Sequence, residues 1–125
     1  TIRTEMNMLN NPPAMSPEEI SAALARGDFV LIDVREPMEY AAERIHGARL
    51  YPLSTFDPAE LPRDERRPIV FHCGSGKRSA TAFTAAAKIG VPLRAHMRGG
   101  IGAWKMAGLP TVTIDPASGA VRDPR

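Results

Sequence analysis

Residues 68–79 read Pro68-Ile69-Val70-Phe71-His72-Cys73-Gly74-Ser75-Gly76-Lys77-Arg78-Ser79. An unbroken apolar run that passes straight into a glycine-rich, basic turn is the pattern of a strand buried on both faces that feeds a helix. The Ala- and Thr-rich stretch from about Ser79 to Ile89 predicts that helix, with Gly90 as its stop. Upstream, Phe29-Val30-Leu31-Ile32 is a second buried strand, ending in Asp33-Val34-Arg35. Weaker strands are expected at Ala48–Tyr51 and Leu93–Met97. Helices are predicted from a capping box at Ser16 and Glu19 to Gly27, from Pro37 to about Ala42, and over Ile101–Ala107 before Gly108. The inward side of the Pro37 helix should carry Met38 and Ala41 or Ala42. Ser54–Leu61 reads as turns and Arg63–Arg67 as a polar loop. Buried strands alternating with helices predict an α/β domain with a mainly parallel sheet. In such sheets ligands sit at the carboxyl ends of the strands, where Cys73 stands.

The ends read differently. Residues 1–15 lack periodicity, and Asn10-Asn11-Pro12-Pro13 is a breaker cluster. We therefore read residues 1–14 as an extension or linker, 15–112 as one domain, and 113–125 as a peripheral tail. The whole chain has 125 residues, 43% hydrophobic and 24% charged, which suits one globular domain with a real core and excludes disorder and coiled coil. No run approaches the length of a transmembrane helix, so no membrane segment is expected. A single cysteine excludes an internal disulfide and a cysteine-rich zinc site, and it fits a reducing, cytoplasmic setting. If the chain is cut from a longer protein, the cytoplasmic face of a membrane fits equally. The net charge is +2 with cations scattered, so no nucleic-acid partner is expected. His46, His72 and His96 lie far apart with no pair at metal-ligand spacing, so neither metal nor cofactor is expected.

The chemistry concentrates in Cys73–Ser79. Gly74 and Gly76 open backbone conformations that let a loop curl until its N–H groups converge. The following helix adds its positive N-terminal end, and Lys77 and Arg78 add full charges. Each effect favours thiolate over thiol, and cysteine pKa values at such sites fall from ~8.5 to roughly 3.5–7.5. A structural cysteine buried as a small hydrophobe has no need of two glycines and two cations beside it. His72 should point to the opposite face of its strand and serve as a satisfied core histidine. A phosphate-binding P-loop fails because Gly76-Lys77 is followed by Arg78, and the dinucleotide pattern breaks at Ser79.

What remains is Cys-x4-Arg. It is one residue short of the His-Cys-x5-Arg loop of tyrosine phosphatases. Cys73, Gly76, Arg78 and Ser79 match the loop of the rhodanese family of sulfurtransferases, Cys-x-x-Gly-x-Arg followed by Ser or Thr. Residues 33–40 (DVREPMEY) resemble that family's "DVREPxEY", and 43–48 (ERIHGA) its "GHIPGA". Gly99-Gly100-Ile101-Gly102-Ala103-Trp104, with Gly108-Leu109-Pro110, is similar to its closing "GGIxAWxxxGLP". The resemblance runs from about Met15 to Val112, and it includes the rhodanese domains of bacterial membrane-anchored proteins. Arg44 and His46 depart from the family's usual His and Pro, outside the loop.

The resemblance implies a single α/β domain with a central parallel five-stranded sheet flanked by helices. It implies a sulfurtransferase of the thiosulfate-using type that carries a persulfide on Cys73 between donor and acceptor. Gly74, Ser75, Gly76, Lys77, Arg78 and Ser79 are the expected substrate-binding residues, with Arg78 either meeting the donor or bracing the loop. The expected partners are a small-molecule sulfur donor and a thiol or protein acceptor, and the chain is expected as a monomer or weak dimer. The alternatives are a persulfide-binding regulatory module without robust turnover and a phosphatase-like enzyme. Asp33 and Arg35 read as a fold-fixing ion pair, Gly99-Gly100 as a tight turn, Trp104 as core, and Arg98 as a basic rim.

Overall fold

The computed structural model describes residues 11–124. Strands β1 (Ala14–Met15), β2 (Val30–Asp33), β4 (Arg49–Leu50), β5 (Ile69–His72) and β6 (Leu93–Met97) form a five-stranded sheet in the order β1-β6-β5-β2-β4. Every pairing in it is parallel. The intervening helices are α1 (Pro17–Arg26), α2 (Pro37–Ala42), α3 (Lys77–Ala87) and α4 (Gly100–Met106). Two 3-10 turns, Leu53–Thr55 and Pro58–Glu60, fill the stretch read as turns. The expected parallel five-stranded α/β architecture is therefore the one observed.

The continuous apolar runs are explained by two cores. Val30, Ile32, Ile69, Phe71 and Cys73 pack on one face against Ala82, Phe83 and Ala86 of α3. Phe29, Leu31 and Val70 pack on the other face with Ile20 and Ala23 of α1 and with Ile101 and Trp104 of α4. Alternate residues serve opposite faces, as strand geometry requires. In α3 the buried positions Ser79, Ala82, Phe83 and Ala86 fall at helical spacing, and small side chains bring the helix close to the sheet. In α1, Ser16 Oγ accepts from Glu19 N at 3.1 Å, Glu19 Oε1 accepts from Ser16 N at 3.0 Å, and Gly27 closes the helix at φ 73°.

Several expectations need correction. No residue of α2 is buried, and Met38 is 86% exposed, with Ala41 and Ala42 also exposed. The half-buried residues are instead Glu39 and Tyr40, because polar contacts turn that face inward: the Tyr40 hydroxyl donates to Ala48 O at 2.7 Å, and Glu39 meets Arg78. The sheet also begins before Ser16, because β1 pairs with β6 as an edge strand within the stretch read as unpatterned. The remaining part of the extension, residues 1–10, lies outside the described residues. Past Val112 the tail is not merely peripheral. Strand β7 (Val112–Ile114) pairs antiparallel with β3 (Glu43–Arg44) and β8 (Val121–Arg122) in a second, three-stranded sheet. Strands of two or three residues carry too few side chains to show a period, so only their partners define them. Helix α3 starts at Lys77, two residues earlier than its composition suggests, because Gly76 at φ 106° lets the loop turn directly into it.

Candidate functional site

Cys73 follows the last residue of β5, the middle strand of the sheet, and its side chain is fully buried beside Phe71. The chain then curls through Gly74-Ser75-Gly76 into α3, and Gly76 N–H donates to Cys73 Sγ at 3.1 Å. Ser79, in the first turn of α3 and fully buried, places Oγ 3.6 Å from the sulfur. Burial pushes the thiol pKa up. Hydrogen bonds from the Ser79 hydroxyl and from the N–H groups of Ser79, Gly76 and Ser75 pull it down and prevail, so the thiol lies below its ordinary value.

The curl is held from behind by α4. Ile101 N–H donates to Cys73 O at 2.8 Å, and Gly102 N–H donates to Gly74 O at 3.2 Å. With the loop carbonyls tied outward, its N–H groups are free to face the sulfur. This close approach explains the paired glycines: Gly100 sits at φ 61°, and a Cβ there would overlap the carbonyls of Cys73 and Gly74. The turn read from the sequence is present, and it also clamps the cysteine loop.

The two loop cations behave differently. Lys77 is exposed. Arg78 makes a bidentate pair with Glu39 of α2, Nη1 to Oε1 at 2.7 Å and Nη2 to Oε2 at 3.1 Å. The Arg78 hydrogen bonds lower the Glu39 pKa to about 2, and Glu39 in turn raises that of Arg78. Of the two roles open to Arg78, the observed contact is the bracing one.

On the neighbouring strand, Asp33 accepts from Arg35 N at 2.9 Å and from Arg35 Nη2 at 2.8 Å, both residues being buried. Arg35 Nη2 also donates to Glu43 O at 2.6 Å. The fold-fixing ion pair expected there is present. His72 is fully buried core, as expected, but only one of its ring nitrogens is satisfied: Nδ1 lies 3.5 Å from Cys73 O. Its Nε2 has no hydrogen-bond partner and lies 3.5 Å from Asp33 Oδ2. Burial, with help from the Arg35 cation, lowers the His72 pKa against the opposing pull of Asp33. Trp104 is core, its Nε1 donating to Pro110 O at 2.9 Å. Arg98 is exposed past the end of β6. The two residues that depart from the family pattern sit away from the loop: Arg44 stacks 5.1 Å over the Tyr40 ring, and His46 Nδ1 lies 3.4 Å from Asp123 Oδ2.

The rhodanese-like domain family profile matches residues 16–107. The chain belongs to the rhodanese-like family. This rhodanese-like chain is 39% identical over 98 residues to the protein slr1261 of Synechocystis, covering 78% of this chain and 55% of that protein, so it spans about half that relative's length. It is 37% identical over 98 residues to a sulfurtransferase of Allochromatium vinosum, covering 76% of this chain and 90% of that one. The crystal structure of the thiosulfate sulfurtransferase of Pseudomonas aeruginosa superposes with TM-score 0.74 at 28% identity, over 86% of this chain and 21% of that one. The Allochromatium and Pseudomonas proteins are both named as sulfurtransferases. No helix among its described residues is long and apolar enough to cross a membrane.

Two site residues escaped the sequence reading. Glu39 on α2 and Arg78 on α3 stand 39 residues apart, and no local pattern links them. His96 Nδ1 lies 2.9 Å from Ser79 Oγ, and sequence spacing tested it only as a metal ligand. A cavity of about 340 Å³ between α1 and α4, lined by Leu24, Ile45, Trp104 and Pro110, contains none of the loop residues.

Proposed function

We propose that this chain moves a sulfane sulfur from a donor such as thiosulfate to a thiophilic acceptor through a persulfide on Cys73. The observation that carries this reading is the buried Cys73 sulfur receiving Gly76 N–H at 3.1 Å at the floor of a loop whose carbonyls are tied outward. Such a cradle favours an anion on sulfur without a metal or a separate base. The Cys73 thiolate attacks the outer sulfur of thiosulfate. The S–S bond of the donor breaks, sulfite leaves with the bonding pair, and Cys73 holds a persulfide anion. An acceptor thiolate then attacks the terminal sulfur, the Cys73–sulfur bond breaks, and the cysteine thiolate is restored. This is covalent catalysis with ping-pong kinetics.

In this scheme the N–H groups from Gly74 to Ser79 hold the anionic sulfur. Lys77 meets the donor's sulfonate at the mouth of the site, and Arg78 braces the loop through Glu39. The names of the Allochromatium and Pseudomonas relatives support sulfur transfer and, for the latter, thiosulfate as donor. A loop of this length suits one extra sulfur better than a tetrahedral phosphate. The test is intact-protein mass spectrometry after thiosulfate treatment. One added sulfur atom, lost on addition of a thiol or cyanide with release of the sulfurated product, is the expected result. An unmodified mass with a reactive Cys73 would overturn the reading.

A further inference from the structure

Ser79 Oγ carries one proton and has three neighbours able to receive it. Gly76 O lies at 3.1 Å, Cys73 Sγ at 3.6 Å, and His96 Nδ1, the shortest contact, at 2.9 Å. Where that proton goes depends on the imidazole. A bare Nδ1 draws the hydroxyl proton to itself and leaves the sulfur without its side-chain donor. A protonated Nδ1 donates to Oγ, and the hydroxyl proton is left for the sulfur or the Gly76 carbonyl. The Gly76 carbonyl is the nearer of these two acceptors, and an Nδ1–H bond to Oγ polarises the hydroxyl so that its proton goes to the charged thiolate.

The imidazole is held in position for this. His96 stands opposite Phe71 of β5 in the parallel pairing, and its backbone N–H donates to Pro13 O at 2.9 Å on the β1 side. The charged groups around the cluster are Arg98, just past the end of the same strand, and Arg78 on α3, the latter held by Glu39. Burial and Arg98 keep the ring below its usual pKa, so it is its tautomer that matters at neutral pH.

We propose that His96 is a positioning residue whose Nδ1–H donates to Ser79 Oγ and thereby commits the Ser79 hydroxyl proton to the Cys73 sulfur. The proposal rests on reading Cys73 as the reactive thiolate, but not on the identity of the sulfur donor. Once the cysteine becomes a persulfide, the charge moves to the outer sulfur. The Ser79 proton is then free to return to Gly76 O, so the relay favours the resting thiolate.

The test is the pH dependence of Cys73 alkylation by iodoacetamide in the full chain, which reads the thiolate without any sulfur transfer. His96→Leu should raise the midpoint by about 0.5–1 pH unit, that is, about three- to tenfold less thiolate below both midpoints. Ser79→Ala should raise it at least as much, and His96→Leu on that background should add nothing. His96→Asn, whose amide N–H stands near the place of Nδ1, should restore the wild-type profile. An unchanged midpoint in His96→Leu, a full added shift on the Ser79→Ala background, or no rescue by Asn would overturn the proposal. Should the variants not fold, nitrogen-15 NMR of the wild-type imidazole decides it. Protonation at Nδ1 alongside the thiolate is expected, and protonation at Nε2 alone rejects the relay. Failure of persulfide formation with this coupling intact would count against the sulfurtransferase reading only.

Discussion

Two neighbouring strands end in a buried group able to carry negative charge, and they treat it in opposite ways. At the end of β2, Asp33 is matched by the guanidinium of Arg35 at 2.8 Å, ion against ion. Just past the end of β5, the Cys73 sulfur meets a backbone N–H at 3.1 Å and a hydroxyl oxygen at 3.6 Å, dipoles against a titrating group. A full countercharge locks its partner into the fold. Dipoles favour the anion yet leave it free to form and break bonds. The nearby cation that might have neutralised the sulfur, Arg78, is held instead by Glu39. The same end of the sheet thus holds a structural ion pair and, in the proposed function, a nucleophile.

The largest expected break in this comparison is Cys73→Ser. A serine hydroxyl stays protonated and accepts no sulfane sulfur, so transfer should vanish while the fold, read by circular dichroism, stays intact. Measurable turnover by the mutant would remove Cys73 from the chemistry. Asp33→Ala should do the reverse. It leaves the Arg35 guanidinium buried without its counterion, a loss of about 3–5 kcal/mol in urea unfolding, with alkylation of Cys73 in the folded fraction unchanged. A loss under 1 kcal/mol would mean that water replaces the carboxylate.

The lowered Cys73 pKa sharpens the contrast through pH. The midpoint of iodoacetamide alkylation should lie below the free-cysteine value of about 8.5. Linkage runs in the same direction: a thiol depressed in the folded state contributes stability that is full above the unfolded pKa and is lost as pH falls through the folded one. Wild type should therefore gain stability relative to Cys73→Ser between those two values as pH rises. Parallel pH profiles for the two proteins would count against the cradle. The smallest expected effect belongs to Lys77→Ala. The side chain is exposed, so its attraction for a dianionic donor is worth ~0.2–1 kcal/mol, a fall of up to about fivefold in kcat/KM for thiosulfate. The loss should fade as salt rises, with alkylation of Cys73 by neutral reagents unaffected. An equal loss at high salt would show that Lys77 acts by contact rather than by long-range attraction.

Regions of the molecule also differ in how far they could be read from the sequence. The cysteine loop was legible because its determinants are adjacent: an apolar run, two glycines and a helix start fall within twelve residues, 68–79. The Asp33–Arg35 pair was legible for the same reason, being two residues apart. The orientation of α2 was not. Its apolar residues Met38, Ala41 and Ala42 suggested one inward face, and the long-range pull of Arg78 on Glu39 and of Ala48 O on Tyr40 selected another. The partner of Ser79 was equally hidden, because His96 arrives from another strand.

Local order in the chain thus determined the α/β class, the main strands and helices, and the cysteine loop as the candidate site. These follow from side-chain period, glycine conformation and capping, which act over a few residues. Tertiary structure alone decided that α4 ties back the carbonyls of Cys73 and Gly74, that Glu39 takes up Arg78, that His96 meets Ser79, and that the last strands form a second sheet with β3. Each of these joins groups far apart in sequence. Hydrogen bonds and ion pairs depend on ångström-scale approach, and only the packed sheet sets those distances.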